Sequence, residues 1–227
     1  MTPPLPMTKD SFPWENEHPG FFERFFQTLF RTCVDPWKLF AAMPVSGGYR
    51  KPLVFLLICT VISCFVTIAM LLPQIMIIPG FSLGAHQGAA SFYEAFIVSQ
   101  VVYSLLGTPM VFVMLFVFTP ITQGILILLG GAKNGFEATL RTQAYCTGLW
   151  GIVALVPCVG SLVCLVWGPI VEIIALKKAQ ETDYWRAVIA LVPMYFISFL
   201  FLIAFYLATW LAVTLIMAPE ALEIFNF

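Results

Sequence analysis

Four long stretches of this chain carry no charged residue: between Lys51 and Glu94, Glu94 and Lys133, Arg141 and Glu172, and Arg186 and Glu220. Each has room for a helix of about 20 apolar residues, the length that crosses the hydrocarbon layer of a bilayer. Only 10% of the residues are charged and 60% are apolar, whereas a soluble domain carries about 25% charged residues. So few charges cannot clothe a water-facing surface, and lipid is the expected solvent. The 227 residues suit one domain.

The first 20 residues, with Pro3, Pro4, Pro6, Lys9, Asp10, Glu15 and Glu17, are expected to be a disordered tail. They hold no apolar core of a cleavable signal, so the first apolar run is expected to act as an uncleaved anchor. From Phe21 the pattern turns helical. Phe22, Phe25, Phe26, Leu29, Phe30 and Cys33 recur on one face, with Glu23, Arg24, Gln27, Thr28 and Arg31 opposite. This amphipathic helix is too short and too polar to span. It is read as lying in the membrane interface, the alternative being a helix packed on the protein's own core. Asp35-Pro36 reads as an N-cap and first helical residue, starting a second short helix through Trp37, Leu39 and Phe40 to about Met43. Gly47-Gly48 is a link, and Arg50-Lys51 marks the membrane edge.

The first span runs from about Pro52 to Leu72. Residues 73–94, with Pro73, Pro79, Gly80 and Gly84, are read as a loop. The run Ala95–Leu129 is either one helix kinked at Pro109 and Pro120 or two short spans. Residues 130–143 are read as a polar loop, and Ala144–Leu176 is broken at Pro157-Cys158-Val159-Gly160. A charged loop covers 177–186, and the last span is Ala187–Met217.

The cations choose among these readings. Lysine and arginine number six before the first span, none in 73–94, two in 130–143, none at the Pro157–Gly160 turn, three in 177–186 and none in the tail. Short loops rich in Lys and Arg stay in the cytosol. Five spans place all eleven cations on that side. Splitting the second run, or reading 144–176 as a single crossing, scatters them. The fold is thus expected to be all-α and polytopic: a cytosolic tail (1–20), interfacial helices (21–51), a five-span domain (52–217) whose third and fourth spans form a short hairpin, and a non-cytosolic tail (218–227). Whether the hairpin crosses fully or only dips in stays open.

Little here suggests catalysis. Gly130-Gly131-Ala132-Lys133-Asn134-Gly135 lacks the spacing and the Lys-Ser/Thr end of a phosphate loop. His18 and His86 are the only histidines, and neither is placed to serve a nucleophile or, with the six scattered cysteines, a zinc ion. Glu172 is the one acid inside an apolar run, a candidate proton or cation site. It could equally snorkel to the interface or pair with Lys177. Gln100, Gln123 and Gln143 are read as hydrogen-bonding between helices. Tyr103, Tyr145, Trp167, Trp185 and Trp210 are read as interfacial anchors.

The stretch Gly135-Phe136-Glu137-Ala138-Thr139 through Ala144-Tyr145, the hairpin tip with Pro157 and Gly160, Trp167, Ile173 to Lys177, and Trp185-Arg186-Ala187 together resemble the Yip-domain family, the Ypt/Rab-interacting membrane proteins. Asp35-Pro36-Trp37-Lys38-Leu39-Phe40, Met43 and Gly47-Gly48 are similar to its bacterial branch. The resemblance covers about 21–215. It implies five spans, a cytosolic N-terminus and a bacterial inner membrane. Eukaryotic members act in vesicle traffic with Rab-type GTPases and carry an Asp-Leu-Tyr-Gly-Pro motif that this sequence lacks. The expected role is non-enzymatic: organising the membrane or recruiting a cytosolic protein through residues 1–51 and the 130–143 and 177–186 segments. The alternative is a small transporter or channel with Glu172 in its path. Candidate functional residues are Glu172, Tyr145, Pro157, Gly160, Lys177 and Lys178, with Phe22, Phe25, Phe26 and Phe30 as the interfacial face. Expected partners are the lipid bilayer and a cytosolic protein, with homo-oligomerisation open; no cofactor, metal or nucleic acid is expected.

Reporter fusions test the topology. A compartment-sensitive reporter after Phe227 and another inside 177–186 should report opposite sides of the membrane; the same side for both would refute the five-span count.

Overall fold

The computed structural model describes residues 12–16, 20–82, 87–156 and 159–225. Among these the chain is all-helical. A short 3-10 turn, Pro13–Glu15, precedes seven α-helices: α1 Phe21–Val34, α2 Pro36–Ala41, α3 Arg50–Ser82, α4 Gln87–Leu128, α5 Gly135–Val153, α6 Val159–Gln180 and α7 Tyr184–Phe225. The residues group into two units, Met1–Val61 with Val113–Met194, and Ile62–Phe112 with Tyr195–Phe227.

Four helices contain segments long and apolar enough to cross a membrane: Arg50–Leu71, Ser104–Leu128, Val159–Gln180 and Tyr184–Phe201. Their large side chains face outward, among them Phe65 on α3, Phe116 on α4, Leu165 on α6 and Phe196 on α7. Hydroxyls inside these helices fold back onto their own backbone. Ser104 donates to the Gln100 carbonyl at 2.9 Å and Thr108 to that of Ser104 at 3.2 Å. This satisfies the hydroxyl where no water is at hand.

Helix α5 is different. Ala138 to Cys146, Gly148 and Leu149 are all buried, polar and charged residues among them. It is wrapped by protein, so it need not be apolar all round. A polar ladder runs along it. Gln143 accepts from Thr119 at 2.6 Å and donates to Thr122 at 2.9 Å, both on α4. Thr139 donates to Gln123 at 2.6 Å. Gln180, at the end of α6, donates to Thr139 at 2.8 Å and to the Gly135 carbonyl at 2.6 Å, and accepts from the Asn134 N–H at 2.9 Å. Gln123 and Gln143 thus bond between helices as their sequence positions suggested. Gln180 joins them, although its position suggested only a loop.

Several boundaries differ from the sequence reading. Residues 73–82 and 87–94 are helical rather than a loop, so Pro73 and Pro79 lie inside α3. A helix in an apolar setting tolerates proline, because unravelling would free more backbone groups than the ring removes. The 130–143 loop shrinks because α5 begins at Gly135, whose φ is +75°. The 177–186 loop shrinks to three residues between Gln180 and Tyr184, so Lys177 and Lys178 ride on α6. The last helix continues through residues 218–225 of the expected tail.

The expected short helix after Asp35 is present as α2. The Asp35 carboxylate accepts from the Lys38 N–H at 3.3 Å and meets its ammonium at 2.8 Å. Lys38 holds the carboxyl below its ordinary value. A lowered value means that this cap supports α2 above the ordinary carboxylate range and fails as the pH drops through the depressed value.

Glycine lets α5 and α6 close into a hairpin. A Cβ on Gly160 would lie 2.2 Å from the Val153 carbonyl oxygen. Gly160→Ala should therefore destabilise the protein by roughly 1–3 kcal/mol, whereas Gly107→Ala on α4, with nothing within 4 Å of its Cβ, should be neutral or slightly stabilising. Thermal unfolding of the purified protein in detergent measures both, and equal melting temperatures for the two would contradict the packing at the tip.

Candidate functional site

Glu137, Arg141 and Tyr145 stand four residues apart on α5, so they share one face of that helix. The Arg141 side chain is 0% exposed. An arginine stays charged in protein, and burying an unpaired charge costs several kcal/mol. The fold surrounds it with acceptors. Nη2 pairs with the Glu15 carboxylate. Nη1 donates to the Gly48 carbonyl at 2.7 Å and meets Glu137 at 3.4 Å. Tyr145 donates its hydroxyl to the same Glu15 oxygen at 2.7 Å, and the Gly48 N–H donates to Glu137 at 2.6 Å.

The glycine pair makes this possible. Gly47 and Gly48 have φ of +136° and +88°, a region open to glycine but strained for other residues. A Cβ on Gly47 would sit 3.6 Å from Arg141 Nη1. The turn thus presents one carbonyl to the guanidinium and one N–H to Glu137.

Glu15 reaches the site on the 3-10 turn, which is itself fastened. Trp14 Nε1 donates to the Lys51 carbonyl at 2.9 Å, and Lys51 Nζ donates to the Glu15 carbonyl at 3.1 Å. Aromatic rings close over the pair: Phe12 on Tyr145 at 4.7 Å between centroids, Trp14 on Phe55 at 5.3 Å, and Phe25 on Phe55 at 5.6 Å. The result is a charge-compensated clamp that joins residues 12–16, the head of α3, the 47–48 turn and α5. It binds chain segments together.

The sequence-derived candidates fall in different places. Tyr145 is not an interfacial anchor: it is buried in this clamp. The stretch 12–16 is not a disordered tail, because Phe12 and Trp14 are core residues. Residues 1–11 and 17–19 of that tail, Pro157 and the side chains of Tyr103 and Trp210 lie outside the described residues. Phe25 does not share the outer face of α1: it is 5% exposed and packs inward, whereas Phe22 is 73% exposed and Phe26 and Phe30 also point outward. Helix α1 thus has an inward face packed on the core and an outward apolar face. Glu172 is buried at 4% exposure on α6 and does not reach a surface by snorkelling. Lys177 instead lies 3.6 Å from the Tyr184 ring centroid and Lys178 4.0 Å from that of Trp37. Gly160 serves the hairpin tip.

Arg141 and Glu15 were missed as a site. The signal for the first was the four-residue repeat Glu137, Arg141, Tyr145; for the second it was the apolar Phe12 and Trp14 flanking a proline. No family model, curated protein or solved structure matches the chain.

A double-mutant cycle tests the clamp. Arg141→Met should cost about 3–5 kcal/mol by stranding Glu15. Adding Glu15→Gln should restore part of that loss in thermal unfolding of the detergent-solubilised chain. Strictly additive effects would mean that the two groups are not coupled.

Proposed function

We propose that the chain is a non-enzymatic, Yip-like multi-pass protein of a bacterial inner membrane, which organises the bilayer from its cytosolic face. In this reading α3, α4, α5, α6 and α7 each cross, and α5 crosses at the centre, shielded from lipid. The burial of α5 supports that, since a helix surrounded by protein can carry Arg141 and Gln143. The joined helix ends support a single cytosolic face. Asn134 bonds to Gln180, Arg186 donates to the Gly130 carbonyl at 3.0 Å, and Arg141 bonds to Gly48, so the cation-bearing ends meet.

The observation that carries the function is α1. It is docked inward by Phe25 and turns Phe22, Phe26 and Phe30 outward, with Arg24 held at 5.2 Å over Trp14. A rigidly mounted helix of this kind inserts its rings into one leaflet near the acyl boundary, which expands that leaflet. The bilayer-facing rings act as a fixed wedge rather than a mobile anchor.

A second reading rests on Glu172. A carboxyl buried on α6 suits an ion path; ion flux in proteoliposomes that disappears with Glu172→Gln would select it.

The wedge is tested with the full chain. Reconstitution into anionic liposomes at rising protein density should shrink or tubulate the vesicles, as seen by electron cryo-microscopy. The triple change of Phe22, Phe26 and Phe30 to Asp should leave vesicle size at the protein-free value. Vesicles of unchanged size with the native chain would overturn the reading.

A further inference from the structure

Two lysine ammonium groups converge on one aromatic platform where α2 packs against α6. Trp37 of α2 and Tyr184 of α7 stack at 6.1 Å and 30°. Lys177 Nζ lies 3.6 Å from the Tyr184 centroid and 5.1 Å from that of Trp37, and Lys178 Nζ lies 4.0 Å from Trp37. Among the described residues no carboxylate lies within ion-pair distance of either ammonium. The nearby acids are otherwise placed: Asp35 pairs with Lys38 at 2.8 Å and Asp183 with Arg186 at 3.6 Å, while Glu181 is exposed at a turn of φ 49°. The C-terminal dipole of α6 supplies only about half a negative charge. Two positive charges held on one ring therefore carry an excess that the described residues do not neutralise.

The surroundings indicate what neutralises it. Trp37, Tyr184 and Trp185 are each partly exposed, and Arg186 lies over Trp185 at 5.2 Å. Rings with an apolar body and a polar edge, set beside cations at the start of an apolar helix, suit the headgroup level of a bilayer. We propose that Lys177 and Lys178, on the Trp37–Tyr184 platform, bind the phosphate of an anionic phospholipid headgroup. The proposal rests on the membrane placement argued above. The charge complementarity is directional: the ammonium groups take the phosphate oxygens, and the exposed rings take the glycerol and upper acyl region. A zwitterionic headgroup supplies the same phosphate but brings its own cation against the lysines.

The full chain in detergent micelles is titrated with short-chain phosphatidylglycerol, short-chain phosphatidylcholine or inorganic phosphate, and bound adducts are counted by native mass spectrometry. Each lysine near an anionic surface contributes roughly fivefold in affinity, so the native chain should prefer phosphatidylglycerol about 25-fold. Lys177→Gln with Lys178→Gln should bring the preference close to one, and Lys177→Arg with Lys178→Arg should keep it. Lys133→Gln, an exposed cation elsewhere on this end, should leave it unchanged. Absence of a preference in the native chain, survival of the preference in the double glutamine variant, or displacement by inorganic phosphate at equal concentration would each overturn the proposal. Carbonate-resistant retention of the chain in membranes separates the two levels. Its loss sinks the membrane reading; its persistence without a lipid preference sinks the headgroup site alone.

Discussion

A guanidinium with no route to water has to be neutralised where it stands, and the arrangement of the first unit follows from that requirement at Arg141. The charge cannot be shed by proton loss, so the segments around it are fixed by their duties as acceptors. Residues 12–16 bring the carboxylate, the 47–48 turn brings a carbonyl, and α5 brings Glu137 from its adjacent turn, while Tyr145 donates to the Glu15 carboxylate and holds it in place. Each acceptor is held by a second bond or a packed ring. Both Nη groups of Arg141 thus meet acceptors that are themselves held, which is what makes a buried ion pair tolerable.

The polar ladder above it obeys the same logic with neutral groups. Gln143 and Gln180 each give both ends of their amide to partners on other helices or on the loop before α5, and the Gln123 carbonyl oxygen accepts from Thr139 and Gln180. Interhelical bonds of this sort contribute only about 0.6–2 kcal/mol apiece in a membrane. Their stronger effect is on register, since sliding α5 by one turn would strand every amide at once.

Much of this was legible in the sequence because charge and apolarity are strong, local signals. The charge-free runs located the apolar helices, and the break expected at 157–160 falls close to the join between α5, which ends at Val153, and α6, which begins at Val159. Asp35-Pro36 announced α2. What escaped was non-local. Glu15 and Arg141 are 126 positions apart, and no periodicity links them. Phe25 follows the same helical spacing as Phe22 and Phe26, and only the partner ring of Phe55 shows that it turns inward. The segment 73–94 misled because proline and glycine are punctuation in water, whereas inside an apolar helix they are tolerated. Helix α5 is not among the four apolar segments because its buried positions include polar residues that meet other helices.

The long sequence separation within the clamp also sets a clock. A ribosome adds roughly 5–20 residues per second, so Arg141 follows Glu15 by about 6–25 s. During that interval Phe12, Trp14 and Glu15 have no α5 to rest on, while α3 and α4 are already being made. The amino-terminal strap is thus translated well before the helix that seats it. Its docking therefore has to wait for α5, and ties the first residues of the unit to a helix made after α3 and α4.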